Sequence, residues 1–121
     1  MNVFLDTYAL IEILRNNQKY EYLRGAKGVF TIFNLVELYY NIIADAGEDE
    51  AQRIYLFLKQ DVVELDDLSV FEAMKFRRAN KKGDFSYADA VGYVYALRHK
   101  IPFVTGDEGF RNLANVIFIK K

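Results

Sequence analysis

The sequence predicts an α/β fold: a three-layer α/β/α sandwich around a central, mainly parallel sheet of four to five strands. Three observations predict it. Five short runs are apolar and rich in β-branched or aromatic residues, at strand length. The first, second and fourth carry no polar alternation, as suits strands covered on both faces. Between the runs, apolar residues recur at helical spacing, so strands and helices alternate in the manner of βαβ crossovers.

The elements follow in chain order. Val3-Phe4-Leu5 is the first strand. Residues 7 to 16 repeat at helical spacing (Tyr8, Ile11, Glu12, Leu14, Arg15), and Lys19 to Arg24 adds a further turn or two. Val29-Phe30-Thr31-Ile32 is the second strand, followed by a helix through Leu35, Leu38, Tyr39, Ile42 and Ile43. Ile54, Phe57 and Leu58 mark the next helix, and Val62-Val63-Glu64-Leu65 the third strand. A more polar helix carries Phe71, Met74 and Arg78, with Lys75, Arg77, Lys81 and Lys82 along it. Tyr87, Val91, Val94, Tyr95 and Leu97 form another, which Gly92 weakens only slightly. Ile101-Pro102-Phe103-Val104 and Val116-Ile117-Phe118-Ile119 are the last two strands. No linker, repeat or low-complexity tract interrupts the series, so residues 1–121 read as a single domain.

Composition narrows the chemistry. Of 121 residues 52% are hydrophobic, enough to bury a core without staples. Cysteine is absent, which removes disulfides, thiolate metal sites and cysteine nucleophiles. The one histidine, His99, would have to carry any Ser-His-Asp site alone. No apolar run reaches the roughly 18 residues of a spanning helix, and the start, MNVFLD, is not a secretory signal. The expectation is a soluble cytoplasmic protein without membrane contact. Sixteen basic residues against 17 acidic give a net charge of -1. Any nucleic-acid contact must therefore use a local patch or a metal.

Four acids fall at informative places. Asp6 follows the first strand, Glu37 lies in the first turn of the helix after the second, Asp89 begins the helix before the fourth, and Asp107 follows the fourth. In a parallel sheet, strand C-termini and crossover-helix N-termini share one edge, where ligands bind if the strand order reverses. Each acid taken singly also serves as a helix cap: Asn34 to Glu37 and Ser86 to Asp89 resemble capping boxes, and Asp6 and Asp107 N-caps. Their shared edge is what caps do not explain. Two carboxylates ~5 Å apart repel by about 3 kcal/mol at an effective dielectric of 20. Such a cluster calls for a cation, and oxygen donors select Mg²⁺ or Mn²⁺. A site of that kind suits phosphodiester hydrolysis.

In order along nearly the whole chain, Val3-Phe4-Leu5-Asp6-Thr7, the Glu37 helix, Phe85-Ser86-Tyr87-Ala88-Asp89-Ala90 and Pro102-Phe103-Val104-Thr105-Gly106-Asp107-Glu108-Gly109-Phe110 resemble the PIN domain, and within it the small VapC-like toxin ribonucleases. The resemblance implies a Mg²⁺- or Mn²⁺-dependent endoribonuclease, the toxin of a toxin–antitoxin pair, acting on an RNA substrate, forming a homodimer and silenced by a cognate antitoxin. It makes Asp6, Glu37, Asp89 and Asp107 the metal-binding quartet. Asp6 and Asp89 would hold the principal ion, with Asp107 and Glu37 completing its water shell or a second site. Thr105 would orient Asp107 or a water, and Thr7 is similarly placed.

Other residues divide between function and scaffold. The basic residues Lys75, Arg77, Arg78, Lys81 and Lys82 suit phosphate contacts or a solvated helix face, and Arg77, Arg78, Lys81 and Lys82 are the RNA-binding candidates. Asp84 suits a loop, Glu108 the first turn of a short helix, and His99 a helix end. Glu12 lies too far around its helix to reach the cleft. The tyrosines suit core, partner surface or base stacking. A silent PIN-like module that binds RNA or protein is the alternative to an enzyme. A phosphoacceptor receiver-type domain ranks lower, since only one acid ends the first strand.

Overall fold

A computed structural model describes residues 1–121. Its sheet comprises β1 (Asn2–Leu5), β2 (Lys27–Val29), β3 (Phe103–Thr105) and β4 (Val116–Phe118). The spatial order is β2-β1-β3-β4, with all pairs parallel. The helices are α1 (Thr7–Leu14), α2 (Ile32–Ala46), α3 (Glu48–Leu58), α4 (Asp67–Ala79) and α5 (Tyr87–Arg98). Short 3₁₀ turns cover Gln18–Leu23, Lys59–Asp61, Lys81–Gly83 and Glu108–Phe110. The three-layer sandwich is as the sequence predicts, with four strands. No helix is long and apolar enough to cross a membrane.

The alternation of β1 assigns the layers. Phe4 points to α5: its ring stacks on Phe103, 5.5 Å between centroids, and a Cβ on Gly92 would meet it at 2.8 Å. Glycine at 92 therefore sets how closely α5 lies on the sheet. Val3 and Leu5 point the other way, toward Ile13 of α1 and Tyr20 and Leu23 of the 3₁₀ turn. The Phe103 ring continues into Tyr93, Phe110, Phe85 and Phe76. Side chains of this size contribute about 1.5–3 kcal/mol each on full burial, so the rim carrying β3 and α5 is firmly built.

Several expected boundaries move. The third run makes no strand: Val62 forms one parallel bridge to Phe30, closed by Val63 N–H to Phe30 O at 2.8 Å. The second strand ends at Val29, because Thr31 is used to cap α2. That cap also corrects the Asn34–Glu37 box. The reciprocal pair is Thr31 with Asn34, which puts Glu37 in the second turn of α2. Residues 19 to 24 wind as 3₁₀, and α1 stops at Leu14, two residues short of the expected end. Lys81 and Lys82 lie past the end of α4, on their own turn.

Candidate active site

The chain lays down β1 and β2 to one side and then β3 and β4 to the other, so the order reverses between β1 and β3. Asp6 and Asp107 flank this crevice. Asp6 N–H bonds Val104 O at 3.2 Å, which pins the first acid beside the end of β3. Asp6, Asp89 and Asp107 line one depression of about 420 Å³, with Tyr8, Gly106, Glu108 and Lys120.

Each of the three aspartates is also a cap. Asp6 Oδ1 accepts from Ala9 N–H at 2.8 Å, Asp89 Oδ2 from Ser86 N–H at 2.9 Å, and Asp107 Oδ1 from Gly109 N–H at 2.9 Å. Capping holds each rotamer and occupies one oxygen of each carboxylate. Thr105 is fully buried and accepts from Asp107 N–H at 3.0 Å. A residue between them, Gly106, admits the C-terminal strand end: a Cβ there would lie 2.6 Å from Ile119 O.

None of Asp6, Glu37, Asp89 and Asp107 belongs to an ion pair. Burial is the main force on Asp6, which is 2% exposed, and pushes its pKa up to about 7. Hydrogen bonds from Thr105 and Ala9 oppose this, while the charges of Asp89 and Asp107 add to it. Burial raises Asp89 as well, opposed by the Ser86 backbone and reinforced by Asp107 and Glu37. A rim of hard oxygen donors, one of them buried without a counter-charge, fits a divalent cation in chemistry and in sign. As they stand, no three acid or histidine side chains are close enough to enclose a common ion.

Glu37 stands apart from the three aspartates. It lies on the neighbouring wall with Thr7, Val36, Tyr40 and Asn41. Its Oε1 accepts a 2.6 Å hydrogen bond from Thr7 Oγ1. The four acids therefore share one rim, three in one depression and the fourth beside it.

A PIN domain family model matches residues 3–116. The chain belongs to the PIN domain family. No curated protein matches it in sequence. Among solved structures, this PIN domain has the fold of a chain in a toxin–antitoxin complex from Klebsiella pneumoniae (TM-score 0.77, 15% identity, 98% of this chain and 99% of that one). It also resembles a chain of VapBC2 from Rickettsia felis bound to a promoter DNA fragment (0.71, 17%, 99% and 98%). A third likeness is to VapBC-1 from nontypeable Haemophilus influenzae (0.69, 16%, 99% and 98%).

The basic candidates separate. Arg77 is engaged internally, with Nε donating to Phe85 O at 2.9 Å and its guanidinium 4.2 Å over the Tyr87 ring. Lys75 pairs with Glu72. Arg78, Lys81 and Lys82 have no ion pair and line a groove with Gly83, Phe85 and Gly109. Gly109 is also the residue whose N–H Asp107 caps, so groove and acid rim adjoin. Asp84 takes a left-handed turn at φ 53° and stays a loop residue. Glu12 is buried and bonded by Asn17 and Arg15.

Lys120 is the site residue that sequence reasoning missed. The tail returns along β3 through Ile119 N–H to Thr105 O at 2.8 Å, and Tyr20 OH holds Ile119 O at 2.6 Å. This brings Lys120 Nζ to Glu108 at 3.0 Å, and that pairing holds the Glu108 carboxyl below its usual range. Only the parallel β3–β4 pairing puts residue 120 at this rim, so no local signal marks it.

Proposed function

We propose that this PIN domain is a Mg²⁺- or Mn²⁺-dependent endoribonuclease and the toxin of a toxin–antitoxin pair. The observation that carries the proposal is the uncompensated acid rim at the strand-order reversal, with Asp6 buried and unpaired by any base. Asp6 and Asp89 would hold the ion, and Asp107 and Glu37 would hold waters beside it. When bound, the ion supplies charge stabilisation at the phosphate and a lowered pKa for water. Thr105 favours the ionised form of Asp6, and the caps keep the carboxylates from turning away. Arg78, Lys81 and Lys82 would take backbone phosphates of the RNA beside the scissile one; Arg77 buttresses that groove.

An antitoxin partner is supported by the fold likeness to chains of toxin–antitoxin complexes and by the surface of α2. Phe33, Val36, Tyr40 and Ile43 form an exposed stripe that borders Glu37. A homodimer is part of the same proposal. The silent binding module stays the second reading because the acids do not enclose a common point.

Calorimetry with Mn²⁺ and cleavage of a single-stranded RNA, with and without EDTA, test the proposal. Mn²⁺ binding with EDTA-sensitive cleavage is expected. Binding of RNA or a partner without either would establish the silent module instead.

A further inference from the structure

One buried polar group on the acid side of the molecule makes a hydrogen bond that neither its capping role nor the aspartates explain. Asn34 is 1% exposed and lies in the first turn of α2. Its Oδ1 accepts from both Thr31 N–H (3.0 Å) and Thr31 Oγ1 (2.9 Å). The backbone donor settles which end of the amide is oxygen, so Nδ2 must be the atom facing Thr7. It donates to Thr7 Oγ1 at 3.3 Å. Having accepted there, Thr7 has one proton to give, and gives it to Glu37 Oε1 at 2.6 Å. Donor and acceptor roles are thus set in one direction from Thr31 to Glu37. A cap needs only the Thr31 and Asn34 part of this chain. The rest couples the second turn of α2 to Thr7, the residue next to Asp6.

We propose that Asn34 is a positioning residue: through Thr7 it fixes Glu37 Oε1 and leaves Oε2 for the acid rim. The proposal rests on the metal-dependent nuclease reading, in which Glu37 serves the ion or its water. It adds two residues, Asn34 and Thr7, and a direction of hydrogen bonding that the quartet alone does not specify. Partners that orient metal-site ligands commonly cost about 10- to 100-fold in metal affinity or activity when removed.

Three variants test it, read by Mn²⁺ calorimetry, RNA-cleavage kinetics and thermal unfolding in EDTA. Thr7→Val removes the hydroxyl at equal volume, Thr7→Ser restores it, and Asn34→Asp keeps the acceptor for Thr31 but offers Thr7 no proton. In Asn34→Asp the Thr7 hydroxyl turns toward Asp and releases Glu37. Thr7→Val and Asn34→Asp are expected to weaken Mn²⁺ binding and lower kcat by about tenfold or more, with KM for RNA unchanged. Thr7→Ser recovers both. Added negative charge acting alone would tighten Mn²⁺ binding in Asn34→Asp, the opposite sign. A purely structural tie would lower the unfolding midpoint in EDTA and leave Mn²⁺ affinity and kcat within about twofold of wild type, overturning the proposal. Should Asn34→Asp not fold, the Thr7 pair decides alone. Wild-type protein that neither binds Mn²⁺ nor cuts RNA would remove the nuclease reading and this proposal with it; wild-type activity with unaffected variants removes only the proposal.

Discussion

Asp6 and Asp66 have the same local job and opposite surroundings. Both are N-cap aspartates, of α1 and α4, and each accepts from a backbone N–H three residues on. Asp66 also meets a cation and an imidazole: Arg98 Nη2 lies 3.4 Å away and His99 Nε2 3.3 Å, at the C-terminal end of α5, with Ser69 Oγ at 2.6 Å. The Ser69 hydroxyl, with His99, holds its carboxyl well below the usual range. Asp6, near the N-terminal end of the same helix, meets Asp89 and Asp107 and is driven the other way. At one end of α5 the capping aspartate has a basic partner; at the other it faces further acids. A capping aspartate becomes a functional candidate through its third-dimension neighbours, not through its place in a turn.

The largest expected effect separates the two ends by activity. Asp6→Asn and Asp89→Asn each reduce Mn²⁺-dependent RNA cleavage by about a thousandfold, since asparagine keeps the cap but not the charge. Asp66→Ala leaves cleavage at wild-type level at a temperature where it is folded. Equal losses in Asp66→Ala and Asp6→Asn would dissolve the contrast.

Stability should show the opposite ordering. With its folded pKa raised to about 7, Asp6 binds a proton more tightly folded than unfolded. Its favourable contribution is complete below the unfolded pKa, near 4, and is lost as pH rises through about 7. Without metal, Asp6→Asn should therefore be more stable than wild type at pH 8, by about 2–4 kcal/mol, and Mn²⁺ should close the gap. Asp66, lowered when folded, contributes stability above pH ~4 that disappears on acidification. Asp66→Ala is expected to lower the unfolding midpoint at neutral pH, with the gap to wild type narrowing on acidification. Urea unfolding from pH 3 to 8, with EDTA or Mn²⁺, reads both signs.

The smallest effect concerns the basic groove beside Gly109. Arg78→Ala with Lys82→Ala is expected to flatten the dependence of log Kd for single-stranded RNA on log salt by about 1.4, two contacts at ~0.7 each. An unchanged slope would confine electrostatic recognition to the acid rim and its ion.

The sandwich was legible because buried parallel strands leave uninterrupted apolar runs, as at Val3–Leu5 and Phe103–Val104. The Ser86–Asp89 capping box was legible because its chemistry is local. At Thr31 the same logic misplaced the cap: strand propensity and capping compete for one residue, and packing of α2 decided. Val62–Leu65 looked like a strand, yet only Val62 finds a partner at the open edge beyond β2.

What the sequence alone determined is the layered architecture, its PIN resemblance and the list of acids, because period, cap chemistry and order along the chain are properties of short segments. The tertiary structure decided which acids share a depression, that Glu37 stands beside it under the hold of Thr7 and Asn34, that Arg77 is spent on Phe85, and that Lys120 returns to the rim. Those outcomes depend on contacts between residues tens of positions apart, and on the burial that turns a capping aspartate into an uncompensated charge.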